Sequence, residues 1–149
     1  MSSFLLNFWN TLGMEKIREA TDADFDSVLG IWASCDLIKP QNDPRTDFDL
    51  ALNTSTSTIL ILECENQIVG AVMIGFDGHR GWLYYFGVKP AFQSLGNGRI
   101  LLSAGEEWLA NRGAPKAMLM VRNSNSKVIG FYERLGFGIE ETSVLGKRL

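Results

Sequence analysis

Apolar positions along this 149-residue chain follow two periods, and the switches between them mark the elements. Lys16 to Ala20 reads as a short first strand. Thr21 or Asp22 offers an N-cap, and Phe25, Val28, Leu29 and Trp32 then recur at helical spacing up to about Cys35. Asp36 to Asp47 carries two prolines, Asn42 and several aspartates, so it reads as a loop before a short helix over Phe48 to Asn53. The near-continuous apolar run from Thr58 to Cys64, the turn residues Glu65 to Gln67 and the run from Ile68 to Phe76 predict a hairpin. Asp77 to Gly81 makes the next turn, into a strand from Trp82 to Val88.

Pro90 ends that strand. A glycine-containing turn follows, then a helix that runs to Arg112 and is closed by Gly113, with Pro115 just beyond. Leu101, Ala104 and Trp108 form its apolar stripe. Lys116 to Val121 is strand-like, and Ser124 or Asn125 caps a helix in which Val128, Phe131 and Leu135 share a face. Gly136 stops that helix. Phe137 to Glu140 and Ser143 to Gly146 are expected as two last strands. The order β-α-α-β-β-β-α-β-α-β-β predicts a single α/β domain, a mixed central sheet with helices on both faces.

Composition narrows the classes. Hydrophobic residues make up 46% and charged residues 21%, as in an ordinary globular domain. The net charge of −3 gives no electrostatic basis for binding nucleic acid, and no apolar run reaches the roughly 20 residues of a membrane helix. Cys35 and Cys64 lie at no metal-ligand spacing and there is one histidine, so no metal is expected. Both thiols read as reduced and mostly buried. Residues 1–13 contain no charged side chain and lack the basic start and cleavage site of a secretory signal. They read as an appendage, with Phe4, Leu5, Phe8 and Trp9 a candidate homodimer surface, before a domain spanning residues 14–149. The expected compartment is the cytoplasm.

The candidate chemistry lies where the Trp82–Val88 strand meets the following helix. A helix N-terminus has unpaired N–H groups and partial positive charge, and glycines let a ligand approach that backbone. Strand, glycine turn and helix make a phosphate cradle. Tight packing alone is the plainer reading of the same glycines. There is no full G-x-G-x-x-G and no G-K-[ST], so dinucleotide-fold and P-loop readings fail.

Val88-x-Pro-x-x-Gln93-Ser94-x-Gly96-x-Gly98, followed by Asn125 and then Tyr132-Glu-Arg-Leu-Gly136-Phe137, resembles the GNAT family of acyl-CoA-dependent N-acetyltransferases. The resemblance covers roughly Lys16 to Leu149. It implies acetyl-CoA as co-substrate, an amine acceptor and no metal. Gln93 would open the family signature. Backbone N–H groups of Ser94, Leu95, Gly96, Asn97, Gly98 and Arg99 would hold the CoA pyrophosphate. Phe86, Gly87 and Val88 would pair with the pantetheine arm as with a neighbouring strand, one N–H polarising the thioester carbonyl. Asn125 would bond the same arm, and Tyr132 would return a proton to the leaving thiolate. The structural alternatives are an N-cap for Asn125 and a half-buried core position for Tyr132. A non-catalytic CoA-binding sensor or interaction module is the rival function.

The departures are informative. The family commonly has glycine where Ser94 stands, which a negative φ would accommodate. Leu119 to Asn125 is similar to the matching strand of enzymes that acetylate ribosomal-protein N-termini, but Met120 stands where those carry a glutamate base. The strand Trp82–Val88 has no carboxylate either. Deprotonation is left to water, to Tyr84 (expected on the strand face of Phe86), or to an amine that binds neutral. His79 sits in a hairpin turn and reads better as a turn residue than as a substrate contact. The aspartates between Asp36 and Asp47 either attract an ammonium group at the acceptor wall or are solvated turn residues.

Overall fold

A computed structural model describes residues 15–149, and the expected appendage of residues 1–13 lies outside them. Five strands, β1 (Glu15–Glu19), β2 (Ser57–Cys64), β3 (Gln67–Phe76), β4 (Gly81–Val88) and β5 (Ala117–Leu119), form one sheet in chain order. The first three pairings are antiparallel and β4–β5 is parallel. Helices α1 (Phe25–Ser34) and α2 (Pro44–Asn53) cover one face; α3 (Asn97–Asn111) and α4 (Ser126–Arg134) cover the other. The alternation of β2 explains the two layers. Ile59 and Ile61 pack with Val28, Trp32 and Phe48, whereas Leu60 and Leu62 pack with Leu101 and Trp108. An α/β domain with a mixed sheet and helices on both faces is therefore the architecture.

Local chemistry fixes the ends of the elements. Asp24 closes a capping box with Thr21 and accepts Arg18 through both carboxylate oxygens, at 2.8 and 2.9 Å. Arg18 also reaches Glu63, so one guanidinium joins β1, the entry to α1, and β2. Helix α2 begins inside the expected loop, because Asp43 accepts Arg45 N at 3.0 Å and Pro44 occupies the first helical position. Gly105 brings α3 onto the sheet: a Cβ there would stand 3.1 Å from Leu83.

The C-terminal part differs from expectation. β5 covers only Ala117–Leu119, and the expected strands at Phe137–Glu140 and Ser143–Gly146 are irregular chain. The reason is burial. Past Phe137, which packs on Tyr132, Gly138 has no side chain to pack, Ile139 is 77% exposed and Leu145 is 93% exposed, so the chain from Gly138 onward presents no buried face to β5. Lys116 pairs with Glu140, which anchors this tail beside β5.

A bulge in β4 sets up the rest. Ala71 faces Gly87 and Met73 faces Tyr84, so Tyr85 and Phe86 together oppose Val72. Tyr85 is the extra residue and holds φ +50°. The bulge breaks the alternation. Leu83 and Phe86 face α3 and α4, while Tyr85 turns to α1 and α2, as does Met73, the partner of Tyr84. Tyr84 therefore does not share a face with Phe86, contrary to simple alternation.

Candidate active site

Pairing of β4 with β5 stops at Leu83 opposite Leu119, just before the bulge. From Tyr84 to Val88 the outer edge of β4 carries no strand. Lys89 N donates to Val69 O at 2.8 Å, so by alternation the peptide groups of Phe86 and Val88 point away from β3, toward this open edge. Val88 O confirms the direction, since it accepts Gln93 Nε2 at 2.8 Å and the Cys35 thiol at 3.2 Å. The edge leaves the Phe86 and Val88 N–H groups available to an extended amide-bearing ligand.

The glycine turn follows directly. Pro90–Phe92 makes one 3-10 turn, Gln93 folds back onto Val88, and Gly96 at φ +86° turns the chain into α3. Ser94 also holds a left-handed φ, +62°, and not the negative φ that would accommodate a serine there. A serine in that region is strained, which accounts for the glycine usual at this point of the signature. Leu95 is 69% exposed. Asn97 is buried, and its Nδ2 donates to Phe92 O at 2.9 Å, so its side chain locks the turn while its backbone stays in the first turn of α3. A Cβ on Gly98 would stand 3.4 Å from Phe131 and 3.5 Å from Phe86, so glycine seats α3 against β4 and α4. Arg99 is exposed.

Helix α4 brings in the remaining residues. Asn125 is its N-cap and accepts Val128 N at 3.4 Å, so the structural role exists. Its Nδ2 has no bond among the described residues, which leaves a donor free for a second role. Tyr132 is buried, with ring centroids 6.0 Å from Phe86, 5.2 Å from Phe131 and 5.7 Å from Phe137. Its hydroxyl has no hydrogen-bond partner among the described residues, and burial pushes its pKa up to about 12. Near neutral pH it is a protonated donor. Tyr132 also lines a cleft of about 960 Å³ along the outer edge of β5, with Trp82, Met120 and Asn123 on its walls. Met120 is 51% exposed and supplies no base.

The opposite face of the β4 bulge carries groups that motif reasoning missed. The Tyr85 ring stacks on Trp32 at 4.1 Å, and its hydroxyl donates to Asp47 Oδ2 at 2.6 Å. Burial, and next the Asp47 carboxylate, push the Tyr85 pKa up. Gly87 faces Cys35 and Leu37, and a Cβ there would stand 3.0 Å from Cys35 Sγ. The segment after α1 thus lies directly against the candidate thioester strand. The only sequence signal was the unbroken aromatic run Tyr84-Tyr85-Phe86, since three consecutive aromatics in a half-covered strand fit poorly with alternation.

His79 lies at the far end of β4, in an exposed turn where Asp77 accepts His79 N and Arg80 N at 2.8 and 2.7 Å. The geometry gives it a turn position and does not bring it to the Phe86–Val88 edge. Cys35 and Cys64 are free and half-buried. Among the described residues no cluster of His, Cys, Asp and Glu is suited to a metal ion.

Known proteins share both sequence and fold with this chain. The profile of the acetyltransferase (GNAT) family matches residues 16–137. An acetyltransferase of Yersinia enterocolitica is 45% identical over 134 residues, which cover 90% of this chain and 95% of that protein. The solved aminoglycoside N-acetyltransferase AAC(6')-Iy in complex with CoA superposes with a TM-score of 0.77 at 17% identity, covering 90% of this chain and 94% of that one. A predicted acetyltransferase from Clostridium acetobutylicum solved with acetyl-CoA gives 0.72 at 18% identity, covering 90% and 96%. At these identities the two structures speak for the fold.

Proposed function

Because the chain belongs to the GNAT acetyltransferase family, we propose that it moves the acetyl group of acetyl-CoA to a primary amine by direct attack in a ternary complex. The observation that carries this reading is the open β4 edge, which runs into the α3 N-terminus on one side and faces Tyr132 on the other. An extended pantetheine arm fits that edge, with Phe86 and Val88 N–H as donors, Gly87 between them, and Asn125 Nδ2 as a further donor. The pyrophosphate sits over the backbone N–H groups from Ser94 to Arg99, where the helix dipole is positive.

In the reaction the amine lone pair attacks the thioester carbonyl carbon. Negative charge grows on the carbonyl oxygen, toward which a β4 N–H is directed. Collapse breaks the C–S bond, and the departing thiolate takes the Tyr132 hydroxyl proton. The proton released by the nitrogen passes to water, because no carboxylate stands at Met120 or on β4, and water returns a proton to the Tyr132 phenolate. An amine that arrives neutral suits such a site.

The acceptor side is the bulge face lined by Cys35, Leu37, Tyr85 and Asp47. The likeness of Leu119–Asn125 to enzymes that acetylate ribosomal-protein N-termini favours a peptide α-amine, whose pKa of about 8 leaves a neutral fraction at neutral pH. We further propose residues 14–149 as the catalytic domain, residues 1–13 as an appendage suited to a homodimer contact, and the cytoplasm as the compartment. Among the described residues no helix is long and apolar enough to cross a membrane.

The test offers acetyl-CoA with a panel of peptide, lysine and small-molecule amines and identifies acetylated product by mass. Product with at least one amine supports the reading. Tight CoA binding without product from any amine would instead support a CoA-binding module.

A further inference from the structure

Four large side chains at the β4–β5 side of the sheet belong to neither core layer. Trp82 and Tyr84 share one face of β4 and stack, with ring centroids 6.3 Å apart and planes 19° from parallel. Met118 stands beside Trp82 in the β4–β5 register, on the face away from Ala117 and Leu119, which pack toward α3 and α4. Met120 follows two residues later. Tyr84 is 41% exposed and Met120 51%, and none of the four joins either cluster of buried residues. Across β3 the partner of Trp82 is Gly75, which has no side chain to cover the indole.

This shelf is continuous with the bulge. Tyr84 precedes Tyr85 and turns to the same side, that of α1 and α2. Two residues of strand, about 7 Å, separate Tyr84 from Phe86, whose N–H lies on the edge proposed for the thioester arm. The C-terminal tail supplies a second wall. Trp82, Met118 and Met120 line the 960 Å³ cleft together with the exposed Ile139 and Val144. Glu140 ties the start of this tail to Lys116, and Arg148 donates to Gln41 O near its end. The tail therefore runs from β5 to the loop before α2, and both walls lead toward the acceptor side.

Building on the acetyl-transfer reading, we propose that Trp82, Tyr84, Met118 and Met120 bind the first side chain of a peptide acceptor, and that this side chain is large and apolar, as in methionine or phenylalanine. The α-amine and the side chain leave the same Cα, so an amine held at the thioester carries its side chain to Tyr84. Indole, phenol and thioether groups offer wide, polarisable apolar contact. The four carry no charge, and Lys116 and Glu140 beside them pair with each other. A seryl peptide leaves the shelf in water, and an aspartyl peptide sets an unpaired charge on it.

The test measures kcat/KM for acetyl transfer to peptides that differ only in the first residue: methionine, phenylalanine, serine, aspartate or lysine. Product is identified by mass as α-acetylated. The wild type is expected to favour the methionyl and phenylalanyl peptides about tenfold or more, as burial of a large apolar side chain confers. Tyr84→Ala and Met120→Ser should each cut that ratio severalfold. Met120 is exposed, so its replacement does not disturb the core. Equal kcat/KM across the series, or a preference for the seryl, aspartyl or lysyl peptide, overturns the shelf and leaves acetyl transfer standing. An equal fall for all peptides in both variants also overturns it. Product from small-molecule amines alone overturns the peptide assignment. If no amine is acetylated, the acetyl-transfer reading falls and the shelf with it.

Discussion

Tyr85 donates its hydroxyl proton to Asp47 Oδ2 at 2.6 Å, which fastens the extra residue of the β4 bulge to helix α2. That bond joins the strand proposed to hold the thioester to the wall proposed to meet the amine. The left-handed φ of Tyr85 is costly for a residue with a Cβ, so the surroundings must hold it. The Trp32 stack and the Asp47 bond do so.

Tyr85→Phe keeps the stack and removes the bond. Thermal unfolding should show a loss of about 1–2 kcal/mol, because Asp47 also loses its donor. An unchanged melting temperature would mean that the bulge is held without this bond.

Ser94 has the same backbone problem in the turn before α3. Ser94→Gly should leave CoA affinity equal or tighter and raise stability by up to about 1 kcal/mol, the lower end of the left-handed penalty. Calorimetric unfolding reads the gain directly. A destabilised Ser94→Gly protein would show that the serine side chain, not its backbone, matters.

The Arg18 guanidinium holds the Asp24 carboxyl down to about 2, below its ordinary 3.8. A depressed acid contributes stability above its unfolded pKa and loses it as protons bind, so this contribution fades as pH falls from about 4 to 2. Asp24→Asn should cost about 1–2 kcal/mol at neutral pH and flatten the acid limb of the stability curve, as followed by urea unfolding. An acid limb of wild-type steepness in this variant would exclude Asp24 as a major source of it.

Cys35 lies against Gly87 and Val88 O, so a covalent acetyl-cysteine route is a concrete competitor to direct attack. Direct attack predicts intersecting double-reciprocal lines and no acetylated protein after incubation with acetyl-CoA alone, as read by intact mass. Parallel lines together with acetyl on Cys35 would establish the covalent route.

Much of this molecule was legible in its sequence, and what was not has physical causes. The order of the first nine elements follows from periodicity, since Val28 with Trp32, and Leu101 with Ala104 and Trp108, each bury one helical stripe. The glycine turn, Asn125 and Tyr132 were found by motif; the fold sets the turn at the end of β4, packs Tyr132 against Phe86 and makes Asn125 the N-cap of α4. The start of α2 was hidden because Asp43-Pro44 suits a loop and a helix N-terminus equally. The bulge could not be read, because it exists only in the register between β3 and β4. With it went the placement of Tyr84 and the partnership of Tyr85 with Asp47. The last two expected strands had a strand-like composition but nothing to bury it against.

The central claim is that acetyl leaves CoA for an amine while Tyr132 protonates the thiolate. With a pKa of about 12, Tyr132 stays protonated across the working range, so its deprotonation should not limit the rate below about pH 10. The most direct measurement is amine-dependent release of free CoA thiol by wild type and Tyr132→Phe, at saturating acetyl-CoA. The account predicts release only when amine is present, and a turnover number about 10²–10³-fold lower in the variant with little change in acetyl-CoA affinity. Release at the wild-type rate by Tyr132→Phe, or none from the wild type with any amine, would contradict it.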